Sequence, residues 1–492
     1  MVDRSRSPLV LGIDLGTSAV KAVVLDCAAV IQASATASFT EFNADTSQSE
    51  QDPADWLSAA STAITSIDRA LQPCTPDWRG RVAAVGLTGQ LPTLVCLNRD
   101  GPLGRAITWK DGRADQWAAT ALDAPQRRTI YEHTGMPIDG RYLGPMFRFH
   151  RHHERDAVEF ILSAKDYLCY ALTGRRVTDP STAAGYGAFD LTRGEFSQAL
   201  CELWNLPLSF LPAVQPAHSA AGPLSAQGAR ILGLPSGIPV TVGAADSVAT
   251  AYAMAGLESG IICVTMGSST VIIDALRERR VDPAARYLLT PHVSPEWYGR
   301  EMDLLATGSG YRWLSGLFGW ADGTLDQHAA RSVPGARGLT FHPYLAGGEQ
   351  GALWNPALRG AVLGLTLQHA AGDIARAFLE GVCFEIRRCV DVLTESATVR
   401  EVIVAGHLIE HPSSLQMLAD ILQQPVRAFG LGAAAALGAA AGALSLIDPM
   451  RPALRALPAS PPAIVQPGPA SMDYRALGAA YLSRTIDAPR AL

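Results

Sequence analysis

The stretch from residue 9 to residue 25 decides the fold, and it reads LVLGIDLGTSAVKAVVL. Residues 9–13 form an apolar run typical of a β-strand, and a small turn at 14–18 follows it. Residues 20–25 form a second apolar run, which returns along the first. The pattern predicts a strand–turn–strand hairpin. It excludes the strand–turn–helix unit of the Rossmann and Walker types.

A second stretch repeats this pattern in the other half of the chain. Residues 261–273 read IICVTMGSSTVII, again an apolar strand, a glycine followed by hydroxyl residues, and a second apolar strand. Gly267 follows Gly16 by 251 residues, close to half of the 492-residue chain. Self-similarity at half-length predicts two related α/β domains that face each other.

The boundary between the domains is predicted near Gly237 to Asp246, which divides the chain into residues 1–243 and 244–492. Residues 447–470 are rich in proline and predict an irregular connector that leads to a last helix around 474–482. The other elements predicted from periodicity and turn residues are a helix within 50–67, strands at 81–87, 93–97 and 238–242, and helices at 165–172 and 247–255.

Composition restricts the class of protein. Hydrophobic residues make up 48% and charged residues 17%, so large cores are expected and wholesale disorder is not. A net charge of −6 argues against a general nucleic-acid or anionic-membrane binder, which needs a basic face. The eight cysteines form no Cys-x-x-Cys pair, which suits a reducing compartment. Since the N-terminus lacks a signal pattern and residues 432–446 predict a packed helix of small residues, we expect a soluble cytoplasmic protein.

The two glycine–hydroxyl turns are candidates for phosphate binding. Small residues expose backbone N–H groups, and hydroxyls at Thr17, Ser18 and Ser268 add donors, a combination that cradles phosphate oxygens. An ordinary hairpin turn is the alternative interpretation for either turn alone. Asp14 favours phosphate binding, since a carboxylate at the end of a buried strand is costly unless it serves a metal or another partner. Magnesium bound through one carboxylate and substrate phosphates fits this position.

Two further sets of polar residues are candidates for chemistry. Asp246, at the domain boundary, either caps the helix beside it or acts as a general base that accepts a proton from an attacking hydroxyl. Gln90 and the segment with Trp109 and Asp111 combine amide, indole and carboxylate groups, as a polyol or sugar site would. The alternative there is a surface loop with a buried tryptophan anchor.

Together these motifs resemble the FGGY family of carbohydrate kinases, and most closely its xylulokinase-like members. The resemblance covers about residues 9–485, with the motifs in the family's order. The segments that carry it are 11–21, 50–53 with Trp56, 86–90, 109–113, 165–168 with 172–174 and 178–179, 243–246, 267–269, 359–360 with 364–365, 376–377 with 380–381, and 416–422.

The resemblance implies a fold and a set of site residues. The fold would be α/β, with two actin-like (ribonuclease H-like) domains, mixed sheets flanked by helices, and a cleft that binds ATP and a sugar. Asp246 would be the catalytic base, and Asp14 with Asp246 would define the Mg²⁺ region. The other implied contacts are Gly16, Thr17, Ser18, Gly267, Ser268, Gly308 and Gly406 for ATP, and Gln90, Trp109, Asp111 and Asp246 for the sugar.

Three segments depart from the family's pattern. Xylulokinases typically have Met-His-Gly after the glutamine, whereas Leu91-Pro92-Thr93 here lacks the histidine that would bond a sugar hydroxyl. A glycine-rich adenosine motif is replaced after Gly406 by His407-Leu408-Ile409-Glu410-His411, which predicts less space for adenine and altered nucleotide binding. Alanines at 244–245 replace commoner residues of the catalytic loop and keep its carboxylate.

The predicted function is ATP- and Mg²⁺-dependent phosphorylation of a primary hydroxyl on a small ketose or polyol, with a xylulose-like sugar first. The expected partners are these small molecules, and neither nucleic acid nor a membrane is expected to bind. A homodimer is a further expectation. One alternative is a non-catalytic ligand-binding or regulatory protein on the same scaffold, which the altered adenosine motif favours and the two aspartates oppose. A mechanical actin-like ATPase is another, and the sugar-side residues oppose it.

Overall fold

The computed structural model describes residues 7–43, 47–153, 158–346, 350–355, 357–406, 410–430, 432–448 and 464–483. The strands are β1 (Leu9–Leu15), β2 (Ala19–Asp26), β3 (Ile31–Ser38), β4 (Glu41–Phe42), β5 (Glu50–Gln51), β6 (Val82–Gly89), β7 (Leu94–Asn98), β8 (Gly101–Pro102), β9 (Ala106–Ile107), β10 (Phe160–Ser163), β11 (Val177–Thr178), β12 (Phe189–Asp190), β13 (Glu195–Phe196), β14 (Ala213–Val214), β15 (Ala220–Pro223), β16 (Pro239–Thr241), β17 (Ala244–Ala245), β18 (Ile261–Met266), β19 (Thr270–Leu276), β20 (Leu288–Pro291), β21 (Tyr298–Leu304), β22 (Thr340–His342), β23 (Ala361–Leu363), β24 (Glu401–Gly406), β25 (Val426–Ala428) and β26 (Ile464–Val465). The α-helices are α1 (Pro53–Leu71), α2 (Trp78–Arg81), α3 (Asp115–Ala121), α4 (Ala124–Thr134), α5 (Leu143–His153), α6 (Ala164–Thr173), α7 (Pro180–Ala184), α8 (Gln198–Leu203), α9 (Ala226–Leu232), α10 (Asp246–Ala255), α11 (Gly308–Leu317), α12 (Leu325–Ala329), α13 (Ala371–Thr394), α14 (Pro412–Leu422), α15 (Ala434–Ile447) and α16 (Ser471–Ser483).

The predicted hairpin at residues 9–25 forms the centre of a sheet in the first half of the chain. β1 pairs antiparallel with β2 on one side and parallel with β6 on the other. The strand order is β15-β16-β6-β1-β2-β3, and β17 pairs with β6. All seven residues of β1 are buried, as expected for a strand that other elements cover on both faces. Helix α1 contacts β2 and β3.

The second hairpin occupies the same position in a second sheet, whose order is β20-β21-β19-β18-β24-β25-β26. β18 pairs antiparallel with β19 and parallel with β24, as β1 does with β2 and β6. Long helices, α1 and α13, precede the corresponding parallel strands β6 and β24. The repeat at half-length therefore predicted two related α/β units correctly.

Helix α15 packs on the first sheet, although it follows most of the second sheet in the chain, and it also packs on α10, which contacts β18 and β19 of the second sheet. A Cβ at Gly86 of β6 would lie 1.8 Å from the Ala439 carbonyl oxygen of this helix. A Cβ at Gly438 would lie 2.0 Å from the Ala249 carbonyl oxygen of α10. Glycine therefore permits backbone-to-backbone contact at both surfaces of α15. The packed helix of small residues that the sequence predicts here is confirmed.

A smaller sheet of the first half, in the order β10-β7-β9-β5-β4, lies next to two of the sugar-side candidates. Trp109 and Asp111 follow β9 closely, before α3. An apolar cluster beneath this sheet includes Phe147, Trp204 and, from the second half of the chain, Leu288. The cluster therefore joins the two halves at this end of the molecule.

The remaining predicted elements agree with the structure except in the proline-rich segment. Helix α6 ends at Gly174, which adopts a φ of 72° as a left-handed helix cap, and the last helix is α16. Residues 464–465, predicted as irregular, form β26, which pairs antiparallel with β25; residues 449–463 of the same segment lie outside the described residues. A two-residue strand depends on the neighbouring sheet edge and leaves no periodic pattern in the sequence.

The domain boundary at 243/244 stays a prediction. None of the described helices is both long enough and apolar enough to cross a bilayer.

His292, which is buried, and the half-buried His218 beside Tyr252 of α10 predict acid sensitivity. Burial and the nearby His218 lower the pKa of His292 to about 3, and burial lowers the pKa of His218 to about 4. Below the ordinary histidine pKa of about 6.5, the unfolded chain binds protons that the folded chain does not. The folded state therefore loses stability as the pH decreases. When the pH falls from 7 to 5, the free energy of unfolding should decrease by roughly 2 kcal/mol less in His292→Asn than in the parent. Urea denaturation at the two pH values measures this difference.

The control for this prediction is His133→Asn. The His133 side chain is 55% exposed and lies beside the Asp190 carboxylate, so its replacement should not reduce the acid loss. An unchanged acid loss in His292→Asn would contradict the prediction.

Candidate active site

Three candidate residues lie at the ends of neighbouring parallel strands of the first sheet. Asp14, near the end of β1, pairs in register with Thr88 of β6, and Thr88 pairs in turn with Ala244 of β17. Gln90 follows β6 directly, and Asp246 follows β17 directly. Because the carboxyl ends of parallel strands meet at one sheet edge, residues distant in sequence come together there. Ligands of open α/β sheets bind at such edges.

The Asp14 carboxylate influences the protonation of Asp246. Burial, the Asp14 carboxylate and the Glu301 carboxylate raise the pKa of Asp246 to about 8. Burial raises the pKa of Asp14 to about 6, and Lys21 opposes this rise. Asp246 does not cap α10 from outside: it is the first residue of the helix, and its Oδ1 accepts a hydrogen bond from Ser247 N–H at 2.9 Å.

The first strand end also fits a cation. Asp14 Oδ1 is buried without a hydrogen-bond partner among the described residues. A cation beside two carboxylates would offset their desolvation and repulsion. Within the same residues, no group of three or more His, Cys, Asp or Glu side chains is arranged to hold a metal. A cation here would therefore share its ligands between aspartate and bound phosphates, as Mg²⁺ commonly does.

The second glycine turn and two further glycines meet at the matching edge of the second sheet. Gly267 follows β18, and Gly406 ends the parallel neighbour β24 in register with Met266. A Cβ at Gly308, the first residue of α11, would lie 2.0 Å from the Gly267 carbonyl oxygen. Ser268 O accepts a hydrogen bond from the backbone N–H of the residue after Gly308 at 3.0 Å. The four nucleotide candidates of this half therefore form one surface.

The turn at residues 16–18 is tied to the sugar-side segment. Gly16 N–H donates to Ala19 O at 3.1 Å and closes the turn. The Thr17 hydroxyl accepts a hydrogen bond from Trp109 Nε1 at 3.2 Å, and the Thr17 carbonyl accepts one from Gln51 Nε2 at 2.7 Å. Ser18 is exposed at the tip. A change at the tryptophan would therefore reach the turn directly.

An open cavity of about 930 Å³, solvent at its mouth included, lies where the two halves meet. Asp246, Thr17 and Trp109 are the predicted site residues that line it. The other lining residues from the first half are Leu91, Pro92, Met136, Arg141, Tyr142, Ser181, Ala184 and Gly185. Those from the second half are Ser247, Ser269, Val271, Leu288, Thr290, Glu301, Asp303, Leu305 and Gln350.

The other two sugar-side candidates lie behind this surface. Gln90 is buried, donates from Nε2 to Gln51 Oε1 at 2.8 Å, and keeps its Oε1 without a partner among the described residues. Asp111 is buried against Arg113, whose Nε lies 2.9 and 3.0 Å from its two oxygens, and it accepts Ser49 N–H at 2.9 Å. Neither Gln90 nor Asp111 is among the lining residues.

The unusual residues after Gln90 reach the cavity. Leu91 and Pro92 line it, so an apolar surface stands where the family's histidine would donate a hydrogen bond. Gly406 of the altered adenosine motif adopts a φ of 80° and has its Cβ position 2.2 Å from Met266 O, which glycine tolerates. The following three residues, 407–409 with His407 among them, lie outside the described residues.

Several polar lining residues escaped the sequence analysis. Arg141, Ser181 and Glu301 belong to no short motif that it used. Two signals existed: Ser181 stands two residues after Asp179 of a quoted segment, and Glu301 is a carboxylate inside the buried strand β21. A carboxylate within a buried strand needs a partner or a function, and this rule would have selected Glu301. No comparable signal marks Arg141.

Two sheets that present glycine turns and carboxylates to one cleft define the class of phosphotransferases that bind ATP between actin-like domains. The chain belongs to the FGGY family of carbohydrate kinases: residues 9–253 match the model of the family's N-terminal domain and residues 262–446 that of its C-terminal domain. The protein is thus an ATP-dependent carbohydrate kinase with an alcohol group as acceptor.

Individual relatives include both xylulose and glycerol kinases. The chain is 29% identical to the xylulose kinase of Escherichia coli over 462 residues, which cover 92% of this chain and 93% of the relative. It is 31% identical to a glycerol kinase of Cereibacter sphaeroides over 437 residues, 85% of this chain and 86% of the relative. The crystal structure of xylulose kinase from Rhodospirillum rubrum superposes with a TM-score of 0.83 at 29% identity, covering 96% of this chain and 98% of that one.

These comparisons confirm the predicted resemblance to xylulokinase-like members, and the structural match confirms the predicted fold class. They also confirm the expectation of an ATP-dependent sugar or polyol kinase. Because xylulose and glycerol kinases match at similar identity, the family alone leaves the acceptor open.

Proposed function

We propose that the protein transfers the γ-phosphoryl group of ATP to a primary hydroxyl of a small ketose or polyol, with Asp246 as the general base. One observation carries this proposal. Asp246 lines the cavity between the two halves, beside Asp14 and near the turns that expose backbone N–H groups. A xylulose-like sugar is the first candidate acceptor, because xylulose kinases are among the relatives.

The proposed reaction is an in-line displacement. The acceptor oxygen forms a bond to the γ-phosphorus, the bond from that phosphorus to the β–γ bridging oxygen breaks, and ADP leaves with the electron pair. The hydroxyl proton passes to an Asp246 carboxylate oxygen. A pKa raised to about 8 makes this carboxylate a stronger base than an ordinary aspartate, and a bound Mg²⁺ would favour its ionised form, which accepts the alcohol proton.

The phosphates would lie between the two glycine turns. Gly16, Thr17 and Ser18 would contact the γ-phosphate from one side, and the surface formed by Gly267, Ser268, Gly308 and Gly406 would hold the rest of the nucleotide. Asp14 and Asp246 would hold Mg²⁺, which, when bound, neutralises charge on the β- and γ-phosphate oxygens. The orphaned Asp14 oxygen supports this assignment.

The acceptor would contact Trp109 directly and would be supported by Gln90 and Asp111 from behind. Trp109 binds the Thr17 hydroxyl through its Nε1, so its indole connects the acceptor to the phosphate turn. The Gln51 side chain binds both Gln90 and the carbonyl oxygen of Thr17, so it connects Gln90 to that turn. Asp111 holds the sugar-side loop by its hydrogen bonds with Arg113. Homodimer formation and a cytoplasmic location also stay predictions.

The wall of the cavity indicates how the far end of the acceptor is recognised. Leu91, Pro92 and Leu288 offer apolar contact to the carbon chain. Arg141 is the basic side chain among the lining residues; Asp139 binds its Nε at 3.0 Å and also its Nη2, which leaves Nη1 without a partner among the described residues. We assign Arg141 as a donor to an acceptor hydroxyl distant from the transferred phosphoryl group.

Arg141→Met should raise the KM for the acceptor roughly 10- to 100-fold, the effect of losing a hydrogen bond from a charged group. The KM for ATP should not change, because this side chain belongs to the acceptor side. Initial-rate kinetics with each substrate varied in turn measure both values. Arg193→Met, at an exposed arginine of the same half, is the control, and an unchanged acceptor KM in Arg141→Met would refute the assignment.

An ADP-release assay against pentuloses, hexuloses and polyols tests the proposed function, with ³¹P NMR to locate the phosphate on the product. We expect one acceptor class to raise ADP release far above the acceptor-free rate and to be phosphorylated at a primary hydroxyl. If no acceptor does so, the proposal is wrong. ATP turnover without any acceptor would then favour a mechanical ATPase. Binding of Mg-ATP without turnover, measured by calorimetry, would favour a regulatory protein.

A further inference from the structure

A fully buried ion cluster lies behind the active-site edge of the first sheet. Lys165 Nζ lies 2.8 Å from Asp166 Oδ1 and 3.2 Å from Asp179 Oδ1, and all three side chains are 0% exposed. Three charges removed from water are costly, and such a cluster stabilises a fold little compared with apolar residues. None of the three is among the residues that line the cavity. The cluster therefore calls for an explanation other than direct ligand contact.

The cluster reaches the loop that precedes the proposed general base at two points. Lys165 Nζ donates a hydrogen bond to the Val242 carbonyl oxygen at 3.0 Å. Asp179 accepts a hydrogen bond from the Ser181 hydroxyl, whose oxygen accepts one from the Ala245 backbone N–H at 2.9 Å. The cluster thus holds the loop at its first residue and at the residue directly before the base.

The loop has few means of its own to hold this position. Between Val242 and Asp246 it contains Gly243, Ala244 and Ala245, whose side chains offer no hydrogen bond. Gly243 adopts a φ of 83°, and a Cβ there would lie 2.2 Å from the Leu87 carbonyl oxygen. The conformation of this segment is therefore set by contacts from outside it, among them the pairing of β17 with β6. Thr88 Oγ1, which donates to Ala244 O at 2.7 Å, is a further one.

We propose that the chain Lys165–Asp179–Ser181 positions the Asp246 carboxylate for proton abstraction. The inference rests on the proposed role of Asp246 as general base and adds the residues that set its place in the cavity. A displacement of about 1 Å in a reacting group costs on the order of 100-fold in rate, so a loop of small residues before the base needs rigid external anchors. Asp179 and Lys165 act from behind the wall: Ser181 links Asp179 to the loop, and Lys165 contacts the loop directly at Val242.

Ser181→Ala removes the link to Ala245 with a small change in volume. We expect kcat to fall roughly 10-fold or more, with the KM for ATP unchanged and the melting temperature within about 2 °C of the parent's. Ser181→Thr keeps the hydroxyl and should recover part of kcat. Because Ser181 also lines the cavity, the variant must distinguish positioning of the loop from a direct contact with the acceptor. Loss of a direct contact would raise the acceptor KM and leave kcat nearly intact.

Asp179→Asn provides an independent measurement, since Asp179 does not line the cavity. It should lower kcat as Ser181→Ala does. The double variant should lose no more than the larger single loss, because both substitutions break the same chain. Independent, multiplicative losses would overturn a shared positioning role. Should Asp179→Asn fail to fold, the comparison of Ser181→Ala with Ser181→Thr still decides the question.

Ser163→Ala is the matched control. Ser163 is likewise a buried serine beside α6, and its Oγ makes no hydrogen bond among the described residues, so its kcat should equal the parent's. Asp246→Asn separates the two proposals. If that variant is inactive while Ser181→Ala keeps a normal kcat, positioning by this chain is refuted and the general base stands. If Asp246→Asn keeps its activity, the proposed base itself is wrong.

Discussion

The Asp246→Asn variant should bind ATP as the parent does and transfer the phosphoryl group at least about 100-fold more slowly. General-base catalysis typically contributes about 10²- to 10⁴-fold, and an amide oxygen does not accept a proton near neutral pH. Asparagine preserves the size of the side chain and can still accept the Ser247 N–H bond of 2.9 Å, so the start of α10 should be unchanged. Steady-state ADP release gives kcat, and calorimetry gives the affinity for ATP.

Asp322→Asn, at an exposed carboxylate of the second half, controls for a general loss of charge and should keep the parental kcat. A kcat in Asp246→Asn within about tenfold of the parent's would show that another group takes the proton. Glu301, a buried carboxylate of the cavity, would then be the next residue to replace, since its charge already raises the pKa of Asp246.

The second large effect is expected on stability. Gly86→Ala should lower the free energy of unfolding by about 3 kcal/mol or more, because the new methyl group would lie 1.8 Å from the Ala439 carbonyl oxygen. A backbone atom does not rotate away as a side chain does, so β6 and α15 would have to separate. Helix α15 also packs on α10, which begins at Asp246, so activity should fall together with stability. Urea denaturation measures the stability.

Gly316→Ala is the control for this packing prediction. Gly316 is exposed in α11 and has no atom within 4 Å of its Cβ position, so alanine should leave stability unchanged or raise it by about 0.5–1 kcal/mol. Equal stability of Gly86→Ala and the parent would mean that the two backbones can move apart without cost.

Much of the fold was predictable because its signals are local. Consecutive apolar residues predict β1, β2, β18 and β19, and the repeat of glycine and hydroxyl residues after an apolar strand predicts that the two halves are related. The position of Asp14 at the end of the first strand was predictable from the first of these runs, whereas the strand β17 directly before Asp246 was not, since Ala244 and Ala245 pair only with the edge of β6. The strand β26 was missed, because two residues pair there only on account of the β25 edge beside them.

The predicted sugar-side residues show where local reasoning stops. The sequence indicates polar groups at 90 and 111, but Gln51 and Arg113 decide which way those groups point. Gln51 lies 39 residues from Gln90, and no periodicity connects the two. In the structure Gln90 Nε2 and the Asp111 carboxylate bind protein partners, and Trp109, Arg141 and Leu91 line the cavity instead.

The sequence by itself determined the two α/β halves, their glycine turns and Asp14 at the end of the first strand, because strand periodicity and turn chemistry lie in consecutive residues. Only the tertiary structure decided that α15 packs on the sheet of the other half, that Arg141 and Glu301 line one cavity, and that a buried lysine holds the loop before Asp246. Those features join segments tens to hundreds of residues apart. Packing and hydrogen bonding in the folded chain bring such segments together, and no local pattern encodes them.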